Sequence, residues 1–205
     1  MKKNSLLVFV IISLFVFNVY SLYRYNNLKK LNNLNIKKNL VEIENDELDT
    51  YKSSYKGGIL NNGKKISRHL LVKDSLHNLI PLKNTFEDKQ NNMLVYRFSK
   101  RHCESCVVAS LEVLKRHTDS IGVSNILFLG NYGNNRIYNR TMFEYGLKKM
   151  KVYNASSFNI PAEEIGYPYF FVLNSNLEVL DLFIPNKAVP KITEDYLKII
   201  NKKYY

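Results

Sequence analysis

The only two cysteines of the chain, Cys103 and Cys106, lie three positions apart between two apolar runs. The run before them, residues 93–98, is typical of a buried β-strand, and the run after them, residues 107–114, is typical of a helix. Two thiols at the start of a helix can close a small disulfide ring, and they can also pass that disulfide to another protein. This order of strand, cysteine pair and helix therefore predicts an α/β unit that carries redox chemistry.

The rest of the chain from about residue 64 predicts a compact α/β domain. The expected elements are two short strands within 70–82, a buried strand at 125–130, a helix at 139–150, a short strand at 151–154, a hairpin of strands 169–173 and 177–183, and a helix at 193–203. Thr193 is the expected N-cap of the last helix. Strand, helix, strand, helix, hairpin, helix predicts a mixed sheet with helices on its faces, partly parallel and with an antiparallel edge.

The N-terminus predicts a membrane segment. Residues 5–23 carry no charge, are mostly apolar and follow Lys2 and Lys3. A helix of this length can span a bilayer. Anchor and cleaved signal peptide both stay open, because Val19 and Ser21 offer small residues for a cut that would release residues 1–21.

The orientation of this segment follows from the charges beside it. Lys2 and Lys3 favour a cytoplasmic N-terminus, whereas several basic residues within 24–38 argue the other way. A short basic start before an apolar run is the ordinary export signal. We therefore expect the domain outside the cytoplasm, on the periplasmic side of the inner membrane, or secreted if the segment is cleaved.

The stretch between the apolar segment and the domain predicts a stalk. Residues 24–56 show partial helical spacing of leucines among asparagines and lysines, which is typical of a solvated helical spacer. Gly57-Gly58 and Asn61-Asn62-Gly63 then indicate turns and a boundary. The expected organisation is an anchor or signal at 1–23, a stalk at 24–63 and a domain at 64–205.

The basic charge does not predict nucleic-acid binding. The net charge of +12 comes from 30 basic and 18 acidic residues and is spread along the chain. No single basic block with interleaved aromatic residues stands out, which is the pattern that nucleic-acid binding would favour. We therefore expect protein and membrane partners, and no nucleic acid.

The segment Gly166-Tyr167-Pro168, which leads into the strand at 169–173, completes a recognisable pattern. With the cysteine pair and the closing hairpin and helix, it resembles the thioredoxin-like superfamily, in particular membrane-tethered extracytoplasmic thioredoxins related to cytochrome-maturation reductases and peroxiredoxins. The resemblance covers about residues 64–205. It implies a thioredoxin-like fold, with a central mixed sheet flanked by helices and a cis bond between Tyr167 and Pro168.

The resemblance also implies a thiol–disulfide oxidoreductase, with the reductase direction preferred. Cys103 would attack a protein disulfide and Cys106 would resolve the mixed disulfide. An upstream thiol–disulfide donor would return electrons, and no cofactor is expected. Tyr167, Pro168, His102 and Glu104 would shape the site.

Local charges are expected to tune the first cysteine. The helix N-terminus, Lys100, Arg101 and a protonated His102 would favour its thiolate, and Glu104 would oppose it.

Two residues depart from the family pattern. His102 stands where the family usually has Trp, and Arg97 stands where many members carry a buried carboxylate that assists proton transfer.

Three other interpretations stay open at this point. The pair could be a static disulfide, the domain could be a non-catalytic surface protein that binds a partner, or the thiols could ligate a metal. The metal alternative would join the cysteines and His102 to one of three other histidines, His69, His77 or His117.

Overall fold

The computed structural model describes residues 2–86, 92–147 and 150–205, with side chains from Phe17 onward. The helices in these ranges are α1 (Lys2–Asn61), α2 (Glu104–Ile121), α3 (Asn135–Glu144) and α4 (Pro190–Tyr204). The strands are β1 (Leu71–Lys73), β2 (Leu79–Pro81), β3 (Met93–Ser99), β4 (Ile126–Asn131), β5 (Lys151–Ala155), β6 (Tyr169–Leu173) and β7 (Val179–Phe183).

The chain divides into two compact units, Met1–Asn45 and Asp46–Tyr205. The first unit is helical, and its side chains from Phe17 to Asn45 are all exposed. Among the described residues, no helix is both long enough and apolar enough to cross a membrane. The side chains of most of the predicted span, those of residues 5–16, lie outside the described part of the chain, so the span stays a prediction.

The second unit is built on one mixed sheet with the strand order β2-β1-β5-β4-β3-β6-β7. The interior strand β3 runs parallel to β4 and antiparallel to β6. β5 is parallel to β4, while β1, β2 and β7 pair antiparallel with their neighbours. This confirms the predicted α/β class and the mixed sheet with a parallel part and an antiparallel edge.

Side chains of β3 alternate between two cores, one on each face of the sheet, because successive strand residues point to opposite faces. Tyr96 and Phe98 belong to the core that also contains Leu111 of α2 and Leu197 of α4. Val95 belongs to the core on the other face. A strand that is buried on both faces holds its carboxyl end rigidly, and the cysteine pair follows that end.

The C-terminal part of α1 belongs to the second unit and covers the edge strand β7. The Leu182 amide donates to Asn62 Oδ1 over 3.1 Å, and the Ile184 amide donates to Ser54 Oγ over 3.2 Å. Ser54 of α1 and Asn62, directly after it, therefore satisfy backbone donors in β7 and directly after it that would otherwise face solvent.

The second compact unit begins at Asp46, within the range 24–63 that the sequence assigns to the stalk. The expectation of a turn at Gly57-Gly58 is wrong, because α1 continues to Asn61. A Cβ atom on Gly57 would lie 3.0 Å from Leu182 Cδ2, so glycine at this position allows the helix to approach the sheet closely.

Helix α3 begins earlier than the sequence predicts. Its N-cap is Asn134, whose side-chain oxygen accepts from the amides of Arg136 over 2.8 Å and Ile137 over 3.3 Å. This cap satisfies two free amides of the first turn, which fixes the start four residues before the expected range 139–150.

Helix α4 also begins earlier, at Pro190, and Thr193 is not its N-cap. Proline suits the first helical position because its fixed φ is helical and the missing amide hydrogen would have no helical partner there. Thr193 is buried within the first turn.

Candidate redox site

The cysteine pair lies where β3 ends and α2 begins. Cys103 is the N-cap residue of α2, and its carbonyl accepts from the amides of Cys106 and Val107, both over 3.0 Å. The two cysteines form a disulfide with a Cα–Cα distance of 5.2 Å. Cys103 is half-buried and Cys106 is only 6% exposed. The first sulfur is therefore the more accessible to a partner, at the helix end that favours an anion.

Two exposed polar side chains form a chain of contacts that begins at the sulfur of Cys103. Cys103 Sγ lies 3.3 Å from Ser105 Oγ, and Lys187 Nζ donates to Ser105 Oγ over 2.9 Å. We call Cys103, Ser105 and Lys187 the redox edge. Sequence reasoning did not find the last two, and Lys187 carries no local signal because it lies 82 positions after Ser105, in the loop between β7 and α4.

A groove of about 360 Å³ opens beside the redox edge. It lies entirely within the second unit. Its lining residues are Asp49, Thr50 and Ser53 of α1, both cysteines, Tyr167, and the loop Ile184, Pro185, Asn186 and Lys187. Residues 49–53 near the end of α1 therefore line part of the groove.

Tyr167 lies at the groove, together with the cysteines, as the resemblance implied, and it is 50% exposed. Pro168 follows it as a buried residue directly before β6, the neighbour of β3. The expected cis bond between them is absent, because no peptide bond among the described residues is cis. The chain enters this segment through Gly166, whose φ of 78° lies in the left-handed region that favours glycine.

His102 and Glu104 lie beside the pair but line a second cavity, of about 200 Å³, together with Tyr132 and Tyr145. The Nδ1 atom of His102 is buried and has no hydrogen-bond partner among the described residues. Burial lowers the pKa of His102 to about 4, and the positive charge of Arg97 acts in the same direction. The expected positive charge on His102 is therefore wrong at neutral pH, whereas Glu104 is exposed at the start of α2.

Arg97 is 1% exposed and uses its guanidinium group fully. Its Nε and Nη2 atoms donate to the two carboxylate oxygens of Glu163, each over 2.8 Å. Nη1 donates to the carbonyls of Gly130 and Ala155, each over 3.1 Å, and Nη2 also donates to that of Ser156 over 2.9 Å. Arg97, which stands where the resemblance led us to expect a buried carboxylate, is therefore paired with one. That carboxylate belongs to Glu163 in the 3-10 helix Pro161–Glu164.

Tyr169 completes this arrangement, since its hydroxyl donates to Glu163 Oε1 over 2.6 Å. We call Arg97, Glu163 and Tyr169 the buried ion-pair cluster. Burial alone would raise the pKa of Glu163, but the hydrogen bonds and charge of Arg97 outweigh it and lower that pKa. Burial raises the pKa of Tyr169 well above its ordinary value. At neutral pH the cluster is therefore one ionised pair with a protonated tyrosine, which fixes geometry rather than carrying protons.

Sequence reasoning singled out Arg97 but missed Glu163, which lies 66 positions later and has no pattern around it that marks it. The metal alternative gains nothing from the structure. In the described part of the chain, no group of three or more His, Cys, Asp or Glu side chains is arranged to hold a metal ion.

Comparison with known proteins finds similarity to solved structures but not to curated sequences. The sequence matches no protein-family model and no curated protein. A protein from Chlorobium tepidum, provisionally named thiol:disulfide interchange protein DsbE, matches 69% of this chain and 99% of its own with 12% identity and a TM-score of 0.50. A mutant of PrxQ from Xylella fastidiosa matches 70% and 96% with 14% identity and a TM-score of 0.49. A thiol:disulfide interchange protein from Bacteroides sp. matches 68% and 91% with 11% identity and a TM-score of 0.45.

The sheet order and the first of these similarities identify a thioredoxin-like fold. The thioredoxin-like fold that the resemblance implied is therefore confirmed. The second unit carries its Cys-x-x-Cys pair at the start of α2, directly after β3.

Proposed function

We propose that this protein is a thiol–disulfide oxidoreductase that reduces disulfides of protein substrates. One observation carries the proposal: the Cys103–Cys106 disulfide lies at the N-terminus of α2 with its first sulfur half-exposed beside an open groove. A disulfide between cysteines this close in sequence closes a very short loop and gives little entropic stabilisation. Reversible chemistry is thus a better reason for the pair than stabilisation of the fold.

The proposed reaction moves two electrons from the dithiol to the substrate. The Cys103 thiolate attacks one sulfur of the substrate disulfide, so that a mixed disulfide forms and the other substrate sulfur leaves as a thiolate. The Cys106 thiolate then attacks Cys103 Sγ and releases the second substrate sulfur. The substrate takes up two protons and is reduced to two thiols, while the protein is left with the disulfide and needs a dithiol donor for the next cycle.

The groove supports a polypeptide segment as the substrate. Tyr167 and Pro185 contribute apolar surface to the groove, and Asp49, Thr50 and Ser53 of α1 contribute polar groups. The backbone of residue 167 could pair with an extended chain as an added strand. A substrate cysteine held in this way would lie beside the first sulfur.

Cys103→Ser tests the function. We expect the reduced full-length protein to reduce the disulfides of insulin with dithiothreitol as the electron source, and we expect Cys103→Ser to lose this activity. Cys106→Ser should form a mixed disulfide with insulin that persists on a non-reducing gel, because the resolving thiol is gone.

Ser120→Ala is the control, since it removes an exposed hydroxyl from the other end of α2 and should react at the rate of the unaltered protein. Equal insulin reduction by Cys103→Ser and the unaltered protein would overturn the proposal. A pair that stays oxidised at every accessible potential would instead favour the non-catalytic binding protein.

We also propose that residues 5–23 anchor the protein in the inner membrane, with the domain on the periplasmic side. The uncharged apolar run after Lys2 and Lys3 supports this location. Resistance of the protein to carbonate extraction, together with digestion of the domain by protease added outside the membrane, is the expected result. Recovery of the full-length chain in the soluble fraction would contradict it.

A further inference from the structure

We propose that Lys187 is a positioning residue that stabilises the thiolate of Cys103 through the hydroxyl of Ser105. The inference rests on the proposed function, because it assigns two further residues to the same redox site. It comes from the chain of contacts Lys187 Nζ to Ser105 Oγ, 2.9 Å, and Ser105 Oγ to Cys103 Sγ, 3.3 Å.

The direction of these two hydrogen bonds follows from the groups themselves. An ammonium group has only donors, so Lys187 must donate and the oxygen of Ser105 must accept. The hydroxyl hydrogen of Ser105 is then left to point at the sulfur of Cys103, which has no hydrogen of its own in the disulfide. A hydroxyl that accepts from a cation becomes a stronger donor, because hydrogen bonds in a chain polarise one another.

The loop that carries Lys187 is held in place on both sides. Pro185 is buried, and the side-chain oxygen of Asn186 accepts from the Ala188 amide over 3.0 Å. The Val189 amide donates to the Asn186 carbonyl over 3.2 Å, directly before α4 begins. The backbone therefore presents Lys187 to the start of α2 in a fixed position, although the side chain itself is exposed.

Both acidic and basic groups surround the cysteine pair. The titratable groups that border the pair, in the groove or next to it in sequence, are Asp49 of α1, residues 100–102 before α2, Glu104 of α2, Tyr167 before β6 and Lys187 after β7. Asp49 and Glu104 disfavour a thiolate, and His102 is neutral near pH 7 because its pKa is lowered to about 4. Among the cations in the described part of the chain that border the pair, Lys187 is the one with a hydrogen-bond path to the first sulfur.

This arrangement makes a prediction about the reduced protein. When the disulfide opens, the sulfur of Cys103 gains a negative charge, and hydrogen bonds to an ionised acceptor are stronger than neutral ones. The hydrogen bond from the Ser105 hydroxyl to this sulfur should then strengthen, and the hydrogen bond from Lys187 to Ser105 should support it. The pair of side chains would thus favour the thiolate that attacks the substrate.

The test measures the pKa of the Cys103 thiol in the reduced full-length protein, from the pH dependence of its alkylation by iodoacetamide. We expect Lys187→Met to raise this pKa by about half a unit, a roughly threefold loss of thiolate near neutral pH. Ser105→Ala should raise it by a similar amount. The double variant should add little to either single change, because both act through one contact chain.

Two controls separate charge from structure. Lys187→Arg keeps the cation and should recover most of the thiolate. Lys73→Met changes the net charge equally on β1, which lies five places from β7 in the sheet, and should leave the pKa of Cys103 unchanged. The effect of Lys187→Met should shrink in 1 M salt, where the Debye length is only about 3 Å.

The inference is overturned if Lys187→Met leaves the alkylation profile unchanged, or if Lys73→Met shifts it equally. This outcome is separate from the fate of the proposed function. Insulin reduction that persists with an unchanged profile would remove only the role of Lys187, whereas a shifted profile without any insulin reduction would remove only the proposed function.

Discussion

The redox edge and the buried ion-pair cluster both lie near the carboxyl end of β3, but they use polar groups in opposite ways. The cluster holds Arg97 and Glu163 with side-chain exposures of 1% and 10%, and every donor group of the guanidinium has an acceptor. At the redox edge, Ser105 and Lys187 are exposed to solvent. A saturated buried cluster fixes the end of the strand, whereas exposed groups can respond when the charge on a sulfur changes.

This difference has an energetic reason. A buried charge is costly unless its partners stay in place, so separating the partners of the cluster is strongly unfavourable. Exposed contacts are individually weak and are screened by water and salt, so they can rearrange without unfolding the domain. The proposed reaction would use both properties, because a rigid strand positions the cysteines and an adaptable surface can rearrange when a partner binds.

The largest expected effect comes from breaking the cluster with Arg97→Met. This change leaves the Glu163 carboxylate buried with only the Tyr169 hydroxyl, and we expect a loss of about 3–5 kcal/mol in the free energy of unfolding. Urea unfolding followed by near-ultraviolet circular dichroism of the tyrosines measures it. Replacing both partners, as in Arg97→Met with Glu163→Met, should recover part of the loss because no unpaired charge remains.

Arg140→Met is the matched control for this comparison, because Arg140 and Glu144 form an arginine–glutamate pair with exposures of 81% and 52%. Its expected cost is below about 1 kcal/mol. Equal losses for Arg97→Met and Arg140→Met would show that burial does not distinguish the two pairs.

A smaller effect is expected where α1 meets the sheet and continues into the wall of the groove. Gly57→Ala would place a Cβ atom 3.0 Å from Leu182 Cδ2 and 3.1 Å from Ile184 Cδ1, whereas in Gly58→Ala the nearest atom is Asn62 Nδ2 at 3.4 Å. Alanine is favoured over glycine in a helix by about 1 kcal/mol, and overpacking costs about 1–3 kcal/mol. Gly58→Ala should therefore raise the free energy of unfolding and Gly57→Ala should not.

The adjacent positions make each variant the control for the other, since the helix propensity gained is the same. A faster reaction of the Gly57→Ala disulfide with dithiothreitol would additionally indicate that the helix wall limits access to the redox edge. An identical gain in stability for both variants would contradict close packing of α1 on β7.

The smallest effect concerns His102, which stands between the two regions. Its pKa is lowered from 6.5 to about 4 in the folded protein, so the unfolded chain binds a proton between these values while the folded one does not. Stability should fall by about 1 kcal/mol as the pH is lowered through this window, after allowance for solvent screening.

His102→Gln should flatten that slope in urea unfolding measured from pH 7 to pH 5, above the range in which Glu163 loses its contribution. Glu163 has a lowered pKa, so its contribution disappears only as the pH falls below its ordinary value of 4.5. His69→Gln, which alters an exposed histidine, is the control. An unchanged slope in His102→Gln would show that His102 is protonated equally in both states.

Local patterns predicted most of the fold because they depend on near neighbours. Two apolar runs around Cys103 and Cys106 predicted β3 and α2, and the turn at residues 174–176 predicted the hairpin of β6 and β7. The ends of α3 and α4 were less predictable, since the cap at Asn134 and the start at Pro190 compete with other polar residues nearby.

The glycine pair at residues 57–58 shows why a pattern can mislead. In sequence it is typical of a turn, but in the structure it lies inside α1 and permits contact with Leu182 and Ile184. Whether a glycine forms a turn or allows close packing depends on the residues that pack against it. For Gly57 these are Leu182 and Ile184, which lie more than 120 positions later in the chain.

By itself, the sequence determined the position of the cysteine pair and predicted an α/β domain with a mixed sheet, because these follow from periodicity and spacing along the chain. The thioredoxin-like fold was an expectation that came from the resemblance of the cysteine pair, the Gly166-Tyr167-Pro168 segment and the closing hairpin and helix to a known family. The tertiary structure alone decided the partners of Arg97 and Ser105, which are Glu163 and Lys187. It also decided that burial keeps His102 neutral. These properties depend on the distances and the water exclusion that folding creates between residues far apart in the chain, and no local pattern encodes them.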